Sequence, residues 1–421
     1  MPALDTRFRT VSLALLCLVL SSSFGGQDQR TNPDLTAHEW GTFTSIAGRN
    51  GLPMKWSPLN GSADLPSFVE HLNGAQFKAG LRGTVRMETP VLYFYSPHET
   101  EVSVKVRFAN GVITEWYPRA SRVEPDPNHL MDREALFHRH NGGSIAWDSV
   151  TVSPNLAARF PRGTEPSDEE GNQYYTARET AAAPVVVKTG GTEWCPAKPL
   201  TPVREQQEKF LFYRGVSTFS VPVSATVAPS GQVQVRNLGQ EEIPSVILFE
   251  RSGDKLGYRL GGGVPGEMSL DPPELTATFE SLRRDLQDVL TSHGLYPDEA
   301  RAMIETWRQS WFEEGSRLFY IVPGSFLNSM LRLTINPAPA QTVRVFVGRI
   351  ELVTPATMQA VRKILANHDG ASLGAYDRFL EPILNVMRAA NPAEAGQIDK
   401  DLDLTYRTPT LQPQAQPQNA Q

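Results

Sequence analysis

Residues 101–117, EVSVKVRFANGVITEWY, decide how this chain of 421 residues is read. Val102, Val104, Val106 and Phe108 alternate with Ser103, Lys105 and Arg107, the period of a strand with one face buried. Asn110-Gly111 follows, then the β-branched and aromatic run 112–117. Asn-Gly between two such runs is a strong hairpin signal, because a type I′ turn needs two positive φ angles. The pattern predicts an antiparallel hairpin.

The same chemistry continues on both sides. Residues 84–95 (TVRMETPVLYFY) read as a strand, and further strands are expected at 144–152, 184–188, 208–213, 218–227, 232–236, 244–251 and 256–260. Ser252-Gly253-Asp254 is good turn chemistry between the last two. The stretches 118–142 and 155–182 lack apolar periodicity and read as long loops. Gly and Pro are frequent, at 32 and 33 residues, which favours turns and short strands over a bundle.

The pattern changes after residue 261. Asp271 with Glu274 predicts a capping box, and Leu275, Phe279, Leu282, Leu286 and Val289 recur at helical spacing up to Gly294. A second helix follows Tyr296-Pro297, with Met303, Ile304, Trp307 and Trp311 on one face, so the two form a helical hairpin. Strands return at 318–322, 330–335 and 342–353. Thr354-Pro355 opens a third helix, and a fourth is expected over 375–389. The expected fold is therefore a mainly β, sandwich-like body over 27–263, then an α+β C-terminal part over 264–391, then a disordered tail over 392–421.

Residues 1–26 read as a signal peptide. Arg7 and Arg9 precede an apolar run at 11–20, and small residues follow at 21–26. Ten apolar residues are too few to span a bilayer, which needs about 20. A secreted, soluble chain without a transmembrane anchor after cleavage is expected. Removing residues 1–26 takes out Arg7, Arg9 and Asp5 and moves the formal charge from −6 to −7. An acidic chain is poorly suited to coating nucleic acid, so no nucleic-acid partner is expected. Only Cys195 remains after cleavage, so stability must come from packing rather than internal disulfides.

Short catalytic motifs give little. Residues 261–266 satisfy G-x-G-x-x-G, but Pro265 interrupts them and no helix opens there. Ser252 to Lys255 match S-x-x-K inside a turn, without its companion motifs. Neither match points to a nucleotide cofactor, and the sequence leaves the cofactor unknown. His138 and His140 stand at i and i+2, a spacing that puts two imidazoles on one strand face, and are the candidate metal ligands. His38 and Glu39 are the candidate catalytic pair, a general base and an acid. As neighbours on a strand they would point to opposite faces unless Gly41 lets the backbone bend. Glu88 and Glu115 lie on strands beside aromatic residues, but their separation is unreadable from sequence. Trp40, Trp56, Trp116, Trp147 and Trp194 could stack on sugars, although core packing is the commoner use of tryptophan.

The motif His38-Glu39-Trp40-Gly41-Thr42-Phe43-Thr44, the run 86–95 (RMETPVLYFY), 114–118 (TEWYP), 210–216 (FLFYRGV) and 311–321 (WFEEGSRLFYI) together resemble an uncharacterised group of exported bacterial proteins. The resemblance spans most of the mature chain. It implies export in bacteria, to the periplasm or beyond. That group has no assigned activity, so the resemblance gives no residue a role. The functional expectation is an exported cell-envelope protein with a binding or assembly role and a carbohydrate or envelope-protein partner. The alternative is a metal-dependent hydrolase acting outside the cytoplasm.

Overall fold

The computed structural model describes residues 30–59, 64–72, 81–125, 142–163, 172–189 and 204–407. It is 42% strand and 26% helix, with the helices concentrated toward the C-terminus. Numbered in chain order, the strands are β1 (Thr31–Ile46), β2 (Glu70–His71), β3 (Val85–Tyr95), β4 (Thr100–Phe108), β5 (Gly111–Tyr117), β6 (Arg122–Glu124), β7 (Gly143–Val152), β8 (Val185–Thr189), β9 (Arg204–Glu208), β10 (Leu211–Ser217), β11 (Val223–Val227), β12 (Val233–Asn237), β13 (Val246–Ser252), β14 (Lys255–Gly261), β15 (Glu267–Leu270), β16 (Gly315–Ile321), β17 (Leu331–Asn336) and β18 (Ala338–Leu352). The helices are α1 (Gln173–Thr176), α2 (Phe279–Ser292), α3 (Pro297–Thr306), α4 (Arg308–Trp311), α5 (Gly324–Met330), α6 (Pro355–Ala366), α7 (Gly370–Gly374), α8 (Leu380–Ala390) and α9 (Ala395–Arg407).

Three sheets form the sandwich. A nine-stranded sheet runs β14-β13-β16-β18-β1-β3-β10-β5-β2. A six-stranded sheet runs β17-β4-β7-β8-β9 with β6 against β7, and a three-stranded sheet runs β11-β12-β15. The main core lies between the large sheet and the two smaller ones. Val102, Val104, Val106 and Phe108 of β4 meet Met87, Leu92, Leu211 and Phe346 there. The opposite face of the large sheet is covered by α2, α3 and α4 around Trp40, Tyr93, Phe212, Trp307 and Trp311. At one end α6 and α8 close a third cluster over Ile46 and Trp56.

The expected Asn-Gly hairpin does not form. β4 pairs with β17 and β7, whereas β5 pairs with β10 and β2. Residues 109–110 are therefore a corner between two sheets. Asn110 takes the positive φ, 48°, and Gly111 does not, so this is no type I′ turn. The Ser217 hydroxyl donates to the carbonyls of Ala109 and Asn110, and Thr218 N–H donates to Asn110. Gly111 is required because a Cβ there would lie 2.3 Å from the Phe108 ring. The fully buried β5 prefers the middle of the core to the pairing its turn suggested.

The other hairpin stands, with β13 and β14 paired through Ser252↔Lys255 and Gly253 at φ 59°. The helix expected from Asp271 begins later, at α2, capped by Thr278 and Ser281. Residues 272–277 instead run beside edge strand β14, where Ala277 bonds Leu256. Thr354 caps α6 as expected. The tail from 392 is not wholly without structure: α9 runs to Arg407, beyond which residues lie outside the description. The parallel pair β1–β18 sits at the centre of the large sheet, so that sheet takes strands from both sides of residue 263. No described helix is long and apolar enough to cross a membrane.

Candidate functional site

A belt of buried charge crosses the helix-covered face of the nine-stranded sheet. Alternation places it. Trp40 and Thr44 face the helices, while Phe43 faces the sandwich core. In β3 a bulge opposite Trp40–Thr42 adds one residue, and Thr89 takes a positive φ of 43°. The extra residue resets the parity, so Arg86 and Glu88 join Val91 and Tyr93 on the helix side. Gly41 sits in this bulge because a Cβ would meet the Phe346 ring at 2.7 Å and the Pro90 backbone at 3.1 Å.

Along the belt, Arg317 and Arg349 both reach Glu351, at 2.7 and 2.5 Å, and Arg349 reaches Glu313 at 3.3 Å. Arg378 and Arg86 approach Glu88 at 2.6 and 3.3 Å, and Thr44 donates to Glu88 at 2.7 Å. Arg214 holds Asp64 with one nitrogen on both carboxylate oxygens, at 2.9 Å each, and donates to the strained Thr89 at 3.2 Å. Burying so many ions is costly unless each is paired, and here arginines and carboxylates alternate.

The belt reaches solvent at one cleft of about 640 Å3 between α1, α3, α4 and the turn at 377–378. Asp64, Arg86, Glu313 and Arg378 form its inner wall. Asn172, Gln173, Glu179, Glu305 and Gln309 stand around them. Four buried polar atoms of lining residues have no hydrogen-bond partner among the described residues: Thr306 Oγ1, Trp307 Nε1, Ser310 Oγ and Arg378 Nη2. Asp377, also in the lining, has a positive φ of 36°. Strained residues persist only where the surroundings hold them, and they gather at sites of function.

The carboxyls are driven apart. Burial would raise Asp64, but Arg214 and Arg86 outweigh it and hold the group below the usual carboxylate range. Glu88 is likewise pushed up by burial and pulled down by Arg378, Arg86 and Arg349, to about 2. Burial wins at Glu313, which is raised despite Arg349. One cleft thus offers a carboxylate that stays ionised and an acid that keeps its proton more readily. Such a division can serve general acid–base chemistry.

His38 and Glu39 are not brought together. His38 is buried toward the helices, with Nδ1 donating to Glu299 Oε2 at 2.8 Å and its ring against Tyr296 at 4.4 Å. Tyr95 and the Tyr296 amide also donate to Glu299, each at 2.8 Å. Glu39 points into the sandwich core, where Tyr213 and Arg344 donate to it. His138, His140 and Cys195 lie outside the described residues. Among the described residues no group of three or more His, Cys, Asp or Glu is placed to hold a metal ion. Glu88 and Glu115 are both buried, Glu88 in the belt and Glu115 opposite Arg214 across β5–β10. Trp40, Trp56, Trp116, Trp147, Trp307 and Trp311 are all buried, and Trp194 is outside the description.

The arginines that build the belt were not singled out by motif. Their signal was an arginine set inside an apolar strand: Arg86 in VRMETPVLYFY, Arg214 in LFYRGVS, Arg317 in GSRLFYI and Arg349 in FVGRIEL. Charged residues at core positions are rare without partners.

No family model matches the chain, and no curated protein matches it. Among solved structures, a yeast delta-COP-I mu-homology domain complexed with a Dsl1 WxWxV peptide aligns with 8% identity and a TM-score of 0.26. The alignment covers 76% of this chain and 96% of that one. A likeness so slight carries no argument about function.

Proposed function

We propose that this is an exported binding protein of the bacterial cell envelope whose cleft takes a hydroxyl-rich saccharide. The observation that carries the reading is the polar lining of the cleft, in which Thr306, Trp307, Ser310 and Arg378 hold buried polar atoms without a hydrogen-bond partner among the described residues. Buried polar atoms without partners are costly, and a ligand that satisfies them recovers that cost. Around them the lining mixes carboxylates with amides and guanidinium groups. A sugar hydroxyl both donates and accepts, so it suits a wall carrying both kinds of group. The buried tryptophans offer no stacking platform, so recognition here is by hydrogen bonds.

Calorimetric titration of the mature chain with soluble envelope oligosaccharides tests this. Thr306→Val keeps the side-chain shape and removes only the unpartnered hydroxyl. It should weaken binding about fivefold, the worth of one hydrogen bond, without loss of stability. Absence of binding across the panel, or binding indifferent to Thr306→Val, would contradict the reading.

The opposed carboxyls of Asp64 and Glu313 favour one alternative, hydrolysis in the same cleft. Release of new reducing ends during the titration, abolished in Glu313→Gln while binding persists, would select it. Without such release the protein is a binder alone. A metal-dependent form of the alternative rests on His138 and His140.

A further inference from the structure

A second site lies on the other side of the molecule and shares no residue with the cleft. Between β17, β18 and α5 runs a groove of about 560 Å3, lined by Asn328, Arg332, Thr334, Thr342 and Arg344 among others. Among the described residues neither Asp nor Glu lines it. Arg344 is nine-tenths buried. Its Nε donates to Glu39 at 2.6 Å and its Nη1 to Asn328 at 2.8 Å. Glu39 neutralises its charge, which leaves Arg332 as the exposed cation of the groove lining.

The surface beside the groove is cationic in a chain whose formal charge is −6. On the outer face of the six-stranded sheet, Arg332 stands directly opposite Arg107, and Thr334 opposite Lys105. Like charges directly opposite on a sheet destabilise it. Arg332, Arg107 and Lys105 are exposed, and none makes an ion pair among the described residues. Arg122 of β6 extends the same face, two strands from Lys105 through Ala146.

We propose that this groove binds a phosphate-type oxyanion. Arg332 and Arg107 are the principal donors, Asn328 and Thr342 border the site, and Lys105 and Arg344 supply the surrounding field. Guanidinium groups suit this chemistry because their N–H fork matches phosphate oxygens. The anion would also relieve the Arg332–Arg107 opposition. It could come from free phosphate or from a phospholipid headgroup, and the two sources share the same contacts.

The test uses the whole mature chain. Inorganic phosphate is titrated calorimetrically, and co-sedimentation is measured with phosphatidylcholine vesicles with and without phosphatidylglycerol. Arg332→Ala lies on the surface and should fold normally. It should weaken binding about tenfold, and Arg107→Lys, which keeps the charge and loses the fork, should weaken it as well. Phosphate binding alone identifies a free oxyanion. Sedimentation with anionic vesicles alone identifies a headgroup, and both together identify a headgroup phosphate taken by this site. Each supports the proposal only if Arg332→Ala weakens it. It is overturned if neither probe binds, if neutral and anionic vesicles sediment the protein equally and phosphate does not bind, or if Arg332→Ala binds as the unaltered chain does. None of these outcomes depends on the saccharide cleft.

Discussion

His38 and Glu299 show how a residue with catalytic chemistry can serve structure. Glu299 is fully buried and accepts from His38, from Tyr95 and from the Tyr296 amide. His38→Leu removes one of these three donors and leaves the carboxylate short of a partner. Urea unfolding should show a loss of about 1–3 kcal/mol. An unchanged midpoint would free His38 from this structural role. That His38 and Glu39 face opposite ways was legible from strand alternation. Their partners were not, because Glu299 and Arg344 lie 261 and 305 residues away.

Glu88 makes a pH prediction at the same scale. Its carboxyl is held at about 2, below its ordinary 4.5, by arginines that outweigh burial. A depressed acid stabilises the fold above its unfolded pKa, and that contribution is lost as pH falls through the folded value. A shift of this size corresponds to about 3 kcal/mol. Stability should therefore fall between pH 4.5 and pH 2, and Glu88→Gln should flatten that part of the profile. An identical slope in the variant would show that Glu88 is not the group responsible.

Strands were legible as elements, and their partners often were not. The β13–β14 hairpin was readable because turn chemistry and pairing agree. At 109–110 they conflict. The turn residues favour a hairpin, but β4 and β5 bury apolar side chains in two different sheets, and burial decides. Gly111→Ala tests this corner. Its new Cβ would meet the Phe108 ring, so overpacking should cost about 1–3 kcal/mol in thermal or urea unfolding. A variant as stable as the parent would mean that the corner is loosely packed. The late start of α2 has a similar cause, since residues before it are occupied against the edge of β14.

Across the molecule, sequence reading reaches the layers but not the connections between them. The sandwich-like body and the C-terminal helices follow from local periodicity. The parallel β1–β18 pair does not, because nothing local joins residue 31 to residue 338. For the same reason the charged belt was hidden. Its members come from residues 44, 64, 86–89, 214, 313–317, 349–351 and 378, and only the sheet order gathers them. What sequence did hold was the anomaly of arginines inside apolar strands, each needing an acid as partner.

Amide hydrogen exchange of the protein, with and without a saturating oligosaccharide, tests the central claim most directly. The account predicts added protection at 172–179, 305–313 and 377–378, around the cleft, and none at 331–344. Protection confined to other segments, or no change anywhere while the ligand is bound, would contradict it.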